Sequence, residues 1–132
     1  MSATHTTFDP RLDHLLGMRI QMQRALREGG DCFTISDIAD WVLRGKFQYW
    51  FNEAAAVVTE VLTYPRRKMI HYFLAVGALE DVLKMQAEID SFAREHGCDG
   101  AIMGGRVGWD KVLPKYGWRK SGTAMTKELA SE

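Results

Sequence analysis

A handful of side chains in this sequence have the chemistry to act on a substrate, and each also has a plainer structural reading. His71 stands mid-strand beside Tyr72, where an imidazole is either a satisfied sheet residue or a general base. Glu60 falls on the preceding extended segment, a carboxylate on one strand face. Tyr116 directly precedes Gly117 at the end of a short helical stretch, a place where a phenol packs its ring and leaves the hydroxyl in water, or delivers a proton. Arg106, Lys111, Lys115, Arg119 and Lys120 make a local basic cluster able to meet a phosphate or an acidic protein surface, with a solvated edge as the default. The last feature is backbone: at Val76-Gly77-Ala78-Leu79 a strand hands over to a helix, and any chemistry is expected there.

Metal chemistry has little support. His5, His14, His71 and His96 show no ligand spacing, and the two cysteines, Cys32 and Cys98, lie far apart with no metal or redox pattern. Two reduced thiols in a cytoplasmic protein is the reading this spacing gives. The 132 residues suffice for one domain with its own core. Lys+Arg and Asp+Glu balance at 17 each, so no net field points to nucleic acid or an anionic membrane. No apolar run approaches the roughly 20 residues that span a bilayer, and no signal-peptide hydrophobic segment follows Met1.

The elements that must position these residues follow from pattern. Residues 1–8 are small and polar and read as a flexible arm, with a single domain over 9–132; a partner or neighbouring subunit would be needed to order the arm. Asp9-Pro10 opens a helix carrying Leu12, Leu15, Leu16, Met22 and Leu26 at helical spacing, and Gly29-Gly30 ends it. Thr34 to Asp37 has the form of a capping signal for a second helix that buries Ile38, Trp41 and Val42 and closes at Gly45. Three extended segments come next, 47–51, 55–64 and 68–76, joined by turn-prone Asn52-Glu53 and Pro65-Arg66, which predicts an antiparallel meander. The third is apolar on both faces and so central.

Leu79 to His96 predicts an amphipathic helix with Leu79, Val82, Leu83, Ile89, Phe92 and Ala93 inward. Ala101 to Met103 is a short strand, set parallel to the central one by the helical crossover. A short helix over 107–113 and a last extended segment over 118–127 complete the chain. The fold class is α+β, three layers around a mixed central sheet: N-terminal helices, an antiparallel meander and a β-α-β-α-β C-terminal half.

That order resembles the GNAT acyltransferase fold without its first strand. Local wording agrees: Gly97-Cys98-Asp99 before a strand, Gly105-Arg106 after it, then Trp109 and Lys115-Tyr116-Gly117-Trp118, similar to the end of a GNAT domain. Val58-Thr59-Glu60, Tyr64-Pro65-Arg66-Arg67 and Ala93 to Cys98 are similar to small bacteriophage and prophage GNAT-like proteins. The resemblance covers about residues 36 to 129 and implies acetyl-coenzyme A as cosubstrate, with its pyrophosphate held by Val76, Gly77, Ala78 and Leu79 and its 3′-phosphate met by Arg106. It implies a base in the region of Glu60 and a tyrosine acid. The family's tyrosine position falls on Leu113, leaving Tyr116 as the nearest phenol. Of the family's three key loop positions, Leu74, Gly77 and Leu79, only Gly77 matches, and Glu80 and Asp81 put negative charge in the first helical turn.

Two functions are consistent with these residues. One is a phage-type GNAT-fold protein with a degenerate coenzyme site, acting as a structural, assembly or host-interaction module in the host cytoplasm or in a virion. A protein partner, such as other phage proteins, or a homo-oligomer is then expected. The other is an active N-acetyltransferase moving acetyl to an amine.

Overall fold

The computed structural model describes residues 8–104, 108–122 and 125–130. The expected arm, apart from Phe8, and Arg106 lie outside the described residues.

Asp9 starts the first helix, Pro10–Gly17 (α1): its carboxylate accepts the Arg11 backbone N–H at 2.9 Å and pairs with the Arg11 guanidinium. The single helix expected as far as Gly29 is two helices. At Met18 the backbone leaves helical geometry (φ −105°, ψ 11°), and Arg19–Glu28 (α2) starts afresh. Gly17, a weak helix former beyond the helix's first turn, precedes the break. Leu15, Met22 and Leu26 are buried, while Leu16 is left in solvent. The capping signal works as read for Ile35–Leu43 (α3): Thr34 Oγ1 accepts from the Asp37 N–H, and the Asp37 carboxylate accepts from the Thr34 N–H.

Gln48–Phe51 (β1), Ala56–Thr63 (β2), Lys68–Val76 (β3) and Gly100–Met103 (β4) form one sheet in the order β1-β2-β3-β4. The first two junctions are antiparallel and the third is parallel, as the meander and the crossover require. The crossover helix is interrupted too. Leu79–Leu83 (α4) and Gln86–Glu95 (α5) are separated by Lys84 and Met85, and the Met85 side chain is buried in the α5-side core.

The two faces of the sheet carry separate cores. One joins Leu15, Met22, Leu26, Ile38 and Val42 of α1–α3 to Phe47, Tyr49, Val58, Leu74 and Val76. The other joins Val82, Met85, Ile89 and Ala93 to Val57, Ile70 and Tyr72. Three layers result.

Strand alternation alone would send Ile70, Tyr72 and Leu74 to the same side, but Leu74 belongs to the opposite core from Ile70 and Tyr72. The register explains it: Val58 pairs with Leu74 and Thr59 with Tyr72, so β3 holds one extra residue, Phe73, against β2. A β-bulge of this kind resets the alternation and bends the strand. Both Phe73 and Leu74 therefore turn toward α1–α3.

The C-terminal part departs furthest from expectation. In place of a helix over 107–113 there are two short 3-10 turns, Trp109–Lys111 and Leu113–Tyr116, and Val107 lies outside the described residues. The strand expected over 118–127 does not form among the described residues. Gly117 and Gly122 both sit at positive φ, which bends the chain out of extended geometry on either side of Arg119–Ser121. No helix among the described residues is long and apolar enough to cross a membrane.

Candidate functional site

The junction expected to carry the chemistry is shaped by its neighbours. Val76 ends β3, Gly77 takes φ +107°, and Ala78 stands as an extended N-cap with no side-chain capping bond. The turn between β1 and β2 packs directly against it. A Cβ on Gly77 would lie 2.6 Å from the Ala54 carbonyl oxygen and 2.8 Å from the Ala55 Cβ. Asn52 braces the same contact: its carboxamide oxygen accepts the N–H groups of Ala54 and Ala55, and its NH₂ donates to the Asp81 carbonyl at 3.0 Å. Gly77 is thus required by close packing and by its backbone angle, with no ligand needed to explain it.

The helical turn after Gly77 is poorly suited to a pyrophosphate. α4 is only five residues long, Glu80 and Asp81 fill its first turn, and the nearby cation Lys84 is occupied by Asp81 at 3.1 Å. Carboxylates at a helix N-terminus satisfy the dipole that a phosphate would otherwise use. Leu79 is half-buried beside them. The residues present do not fit the diphosphate of coenzyme A at this junction.

A second feature lies on the α1–α3 side of the sheet. Glu60 and His71, cross-strand partners on β2 and β3, meet at 3.1 Å between Oε2 and Nδ1, both about three-quarters covered. His71 sits two residues before the bulge, with its ring edge-on to Phe73. β4 pairs with β3 only from Met69 to Tyr72, so Phe73–Val76 continues past the end of β4. The bulge and the Glu60–His71 pair thus stand where β3 and β4 part. Glu60 also lines a groove of about 720 Å³ that wraps the free edge of β1, with Trp41, Trp50 and Phe92 among its walls.

Tyr116 is elsewhere. It is half in solvent at 47% exposure, and its carbonyl accepts the Gln86 side-chain N–H from α5. Trp118 Nε1 donates to the same Gln86, and Leu113 is buried, so the two 3-10 turns dock on the α5 side of the sheet. Glu60 faces the α1–α3 side, and the structure does not bring Glu60 and Tyr116 together. Lys111, Lys115, Arg119 and Lys120 are exposed.

Three contributors were missed by reading the sequence. Asn52 was legible only as a turn residue, and the bulge at Phe73 has no local signal. The third is Thr59, fully buried on the α5 side, which accepts the Trp50 indole N–H at 2.9 Å and donates to Gln48 Oε1 at 2.8 Å. A buried phenol, Tyr72, has no hydrogen-bond partner for its hydroxyl among the described residues, and its ring lies edge-on to Trp118. No group of metal-ligating side chains occurs among the described residues.

No protein-family model and no curated protein sequence matches the chain. Solved structures do resemble it. A probable acetyltransferase superposes with a TM-score of 0.66 at 12% identity, over 92% of this chain and 95% of its own. A possible acetyltransferase from Clostridium difficile 630 gives 0.64 at 10% identity, over 95% and 97%. An acetyltransferase from Trypanosoma brucei gives 0.58 at 15% identity, over 73% and 78%. At such identities the likeness is one of fold: the chain has the α+β architecture of GNAT-like acetyltransferases.

Proposed function

We propose that this GNAT-like fold carries a coenzyme site that has decayed and that the protein works as an interaction module. The observation that supports this most is the contact of Gly77 with Ala54 and Ala55. The one residue that matches a phosphate loop is needed for packing, and the acidic turn behind it disfavours an anion. A role in assembly or in handling a host protein, in the cytoplasm or a virion, belongs to this reading. Its phage-type part is supported only by the wording around Glu60, Tyr64 and His96. Calorimetric titration with acetyl-coenzyme A tests the reading: no heat at micromolar to millimolar ligand is expected, and micromolar binding would overturn it.

A second reading is an active N-acetyltransferase, favoured by the Glu60–His71 pair standing beside the bulge where β3 and β4 part. Here Glu60 holds the His71 imidazole through Nδ1, leaving Nε2 to take a proton from an acceptor amine. The family resemblance would assign the coenzyme to Val76 to Leu79 and Arg106 and the acid to Tyr116; the acidic turn behind Gly77 and the placement of Tyr116 on the α5 side weigh against that part of this reading. Release of free thiol from acetyl-coenzyme A in the presence of an amine, lost in Glu60→Gln and in His71→Ala, would establish this reading over the first. Replacing Gly77 cannot separate the two, because its packing role alone predicts a loss.

A further inference from the structure

We propose that the free edge of β1 takes an extended peptide of another protein, with large apolar residues on one of its faces and an acidic residue on the other. This gives the interaction-module reading a surface and a partner chemistry, and it does not depend on whether coenzyme A binds.

The edge is open. β1 is the first strand of the sheet and pairs only with β2. The Asn52 N–H donates to the Ala55 carbonyl at 3.1 Å, and hydrogen-bonded pairs alternate along the antiparallel ladder from there. Trp50 and Gln48 therefore turn their main-chain groups to Val57 and Thr59 of β2, while Tyr49 and Phe51 turn theirs outward. Residues 47–52 hold no charge and no proline, and the β1–β2 register has no bulge. None of these three devices blunts the edge.

The groove along this edge has two unlike walls. On the α5 side stand Trp50, Val61 and Phe92, all packed against the α5-side core. Trp50 is fixed there by its bond to Thr59 and by the Phe92 ring, with centroids 5.5 Å apart. On the α1–α3 side the Lys46 ammonium stands 5.1 Å from the centroid of the Trp41 ring. No carboxylate among the described residues lies within ion-pair distance of Lys46. The other Arg and Glu charges of the lining are met, Arg11 by Asp9 and Glu60 by His71. An extended peptide sends successive side chains to opposite faces. Every second residue then meets the apolar wall, and one of the residues between them meets Lys46, a cation still to be neutralised.

The shape selects a peptide over a second copy. Arg11 of α1, Trp41 of α3 and Phe92 of α5 all wall the groove, so helices flank the edge on both faces of the sheet. Joining two β1 edges about a two-fold axis would bring the partner's own α1, α3 and α5 against the same walls. A single extended chain carries no such layers. Its main-chain bonds to Tyr49 and Phe51 supply affinity, and the two walls select its side chains.

The test uses the full chain and two fluorescein-labelled synthetic peptides, one alternating glutamate with leucine and the other lysine with leucine. Fluorescence anisotropy should show the glutamate peptide binding about tenfold more tightly than the lysine peptide at low salt. Lys46→Glu, at a solvent-exposed position, should fold and reverse that preference. Amide hydrogen exchange should slow at Tyr49 and Phe51 when the glutamate peptide is bound. The proposal is overturned if neither peptide binds, or if Lys46→Glu leaves the preference unchanged. Binding without protection at Tyr49 and Phe51 would remove the strand pairing and overturn it too. Protection of the same amides in the chain alone, with sedimentation at twice the 15.0 kDa chain mass, would assign the edge to a second copy. Binding only by a chain shortened to start at Phe8 would assign the edge to residues 1–7, and either result overturns the proposal. Acetyl-coenzyme A titration of the same samples decides the decayed-site reading separately.

Discussion

Gly77 lies so close to Ala54 that a β-carbon there would stand 2.6 Å from the Ala54 carbonyl oxygen. The contact ties the strand-to-helix junction to the turn opening β2, and Asn52 reinforces it from the same turn. Gly77→Ala meets both a backbone penalty at φ +107° and a steric one against main chain that cannot rotate away. Together these should cost roughly 2–5 kcal/mol, read as a lower midpoint in urea unfolding. A cost below about 0.5 kcal/mol would mean that the turn yields, and would return Gly77 to consideration as a ligand-binding position.

Thr59 is the fully buried hub between Trp50 and Gln48. Thr59→Val keeps the shape and strands the indole N–H and the carboxamide, so a loss of about 1–3 kcal/mol is expected. Tryptophan fluorescence should shift with it. Unchanged stability and emission would show that water replaces the hydroxyl.

Alkaline stability should be limited by two phenols. Burial pushes Tyr49 and, with Asp90 nearby, Tyr72 far above the usual tyrosine value of 10.0. In the unfolded chain both ionise near that value, while the folded protein keeps their protons, so the folded state binds more protons above pH 10. Stability is therefore unaffected by these groups below about pH 10 and falls as pH rises beyond it. Urea midpoints from pH 8 to 11 should show this, with a shallower decline in Tyr72→Phe. Identical slopes in the variant would remove Tyr72 from the account.

The two thiols should differ in reactivity. Cys32 is exposed, whereas burial pushes the Cys98 thiol up, against the pull of Lys68. The thiolate is the reactive form, so iodoacetamide at pH 8 should label Cys32 first and Cys98 slowly. Peptide mass spectrometry at short times checks the order, and prior labelling of Cys98 would show that the segment around it opens.

Local chemistry was enough to specify much of this fold. Asp9-Pro10 and Thr34 with Asp37 mark helix starts because side-chain oxygens cap N–H groups within three residues, and such bonds form wherever those residues occur together. Lys68–Val76 was legible as the central strand because an interior strand is apolar on both faces. The α+β order followed from those signals. Helix breaks at Met18 and Met85 were not legible, since the apolar stripe runs through both. The bulge at Phe73 was also invisible, because an extra residue on β3 between Tyr72 and Leu74, opposite the Val58–Thr59 step of β2, is a property of the β2–β3 register, a long-range pairing. The site divides the same way. Sequence placed Gly77 at the junction and put the acids Glu80 and Asp81 behind it. Only tertiary contact with Ala54 decided why a glycine stands there, and only the sheet register brought Glu60 to His71.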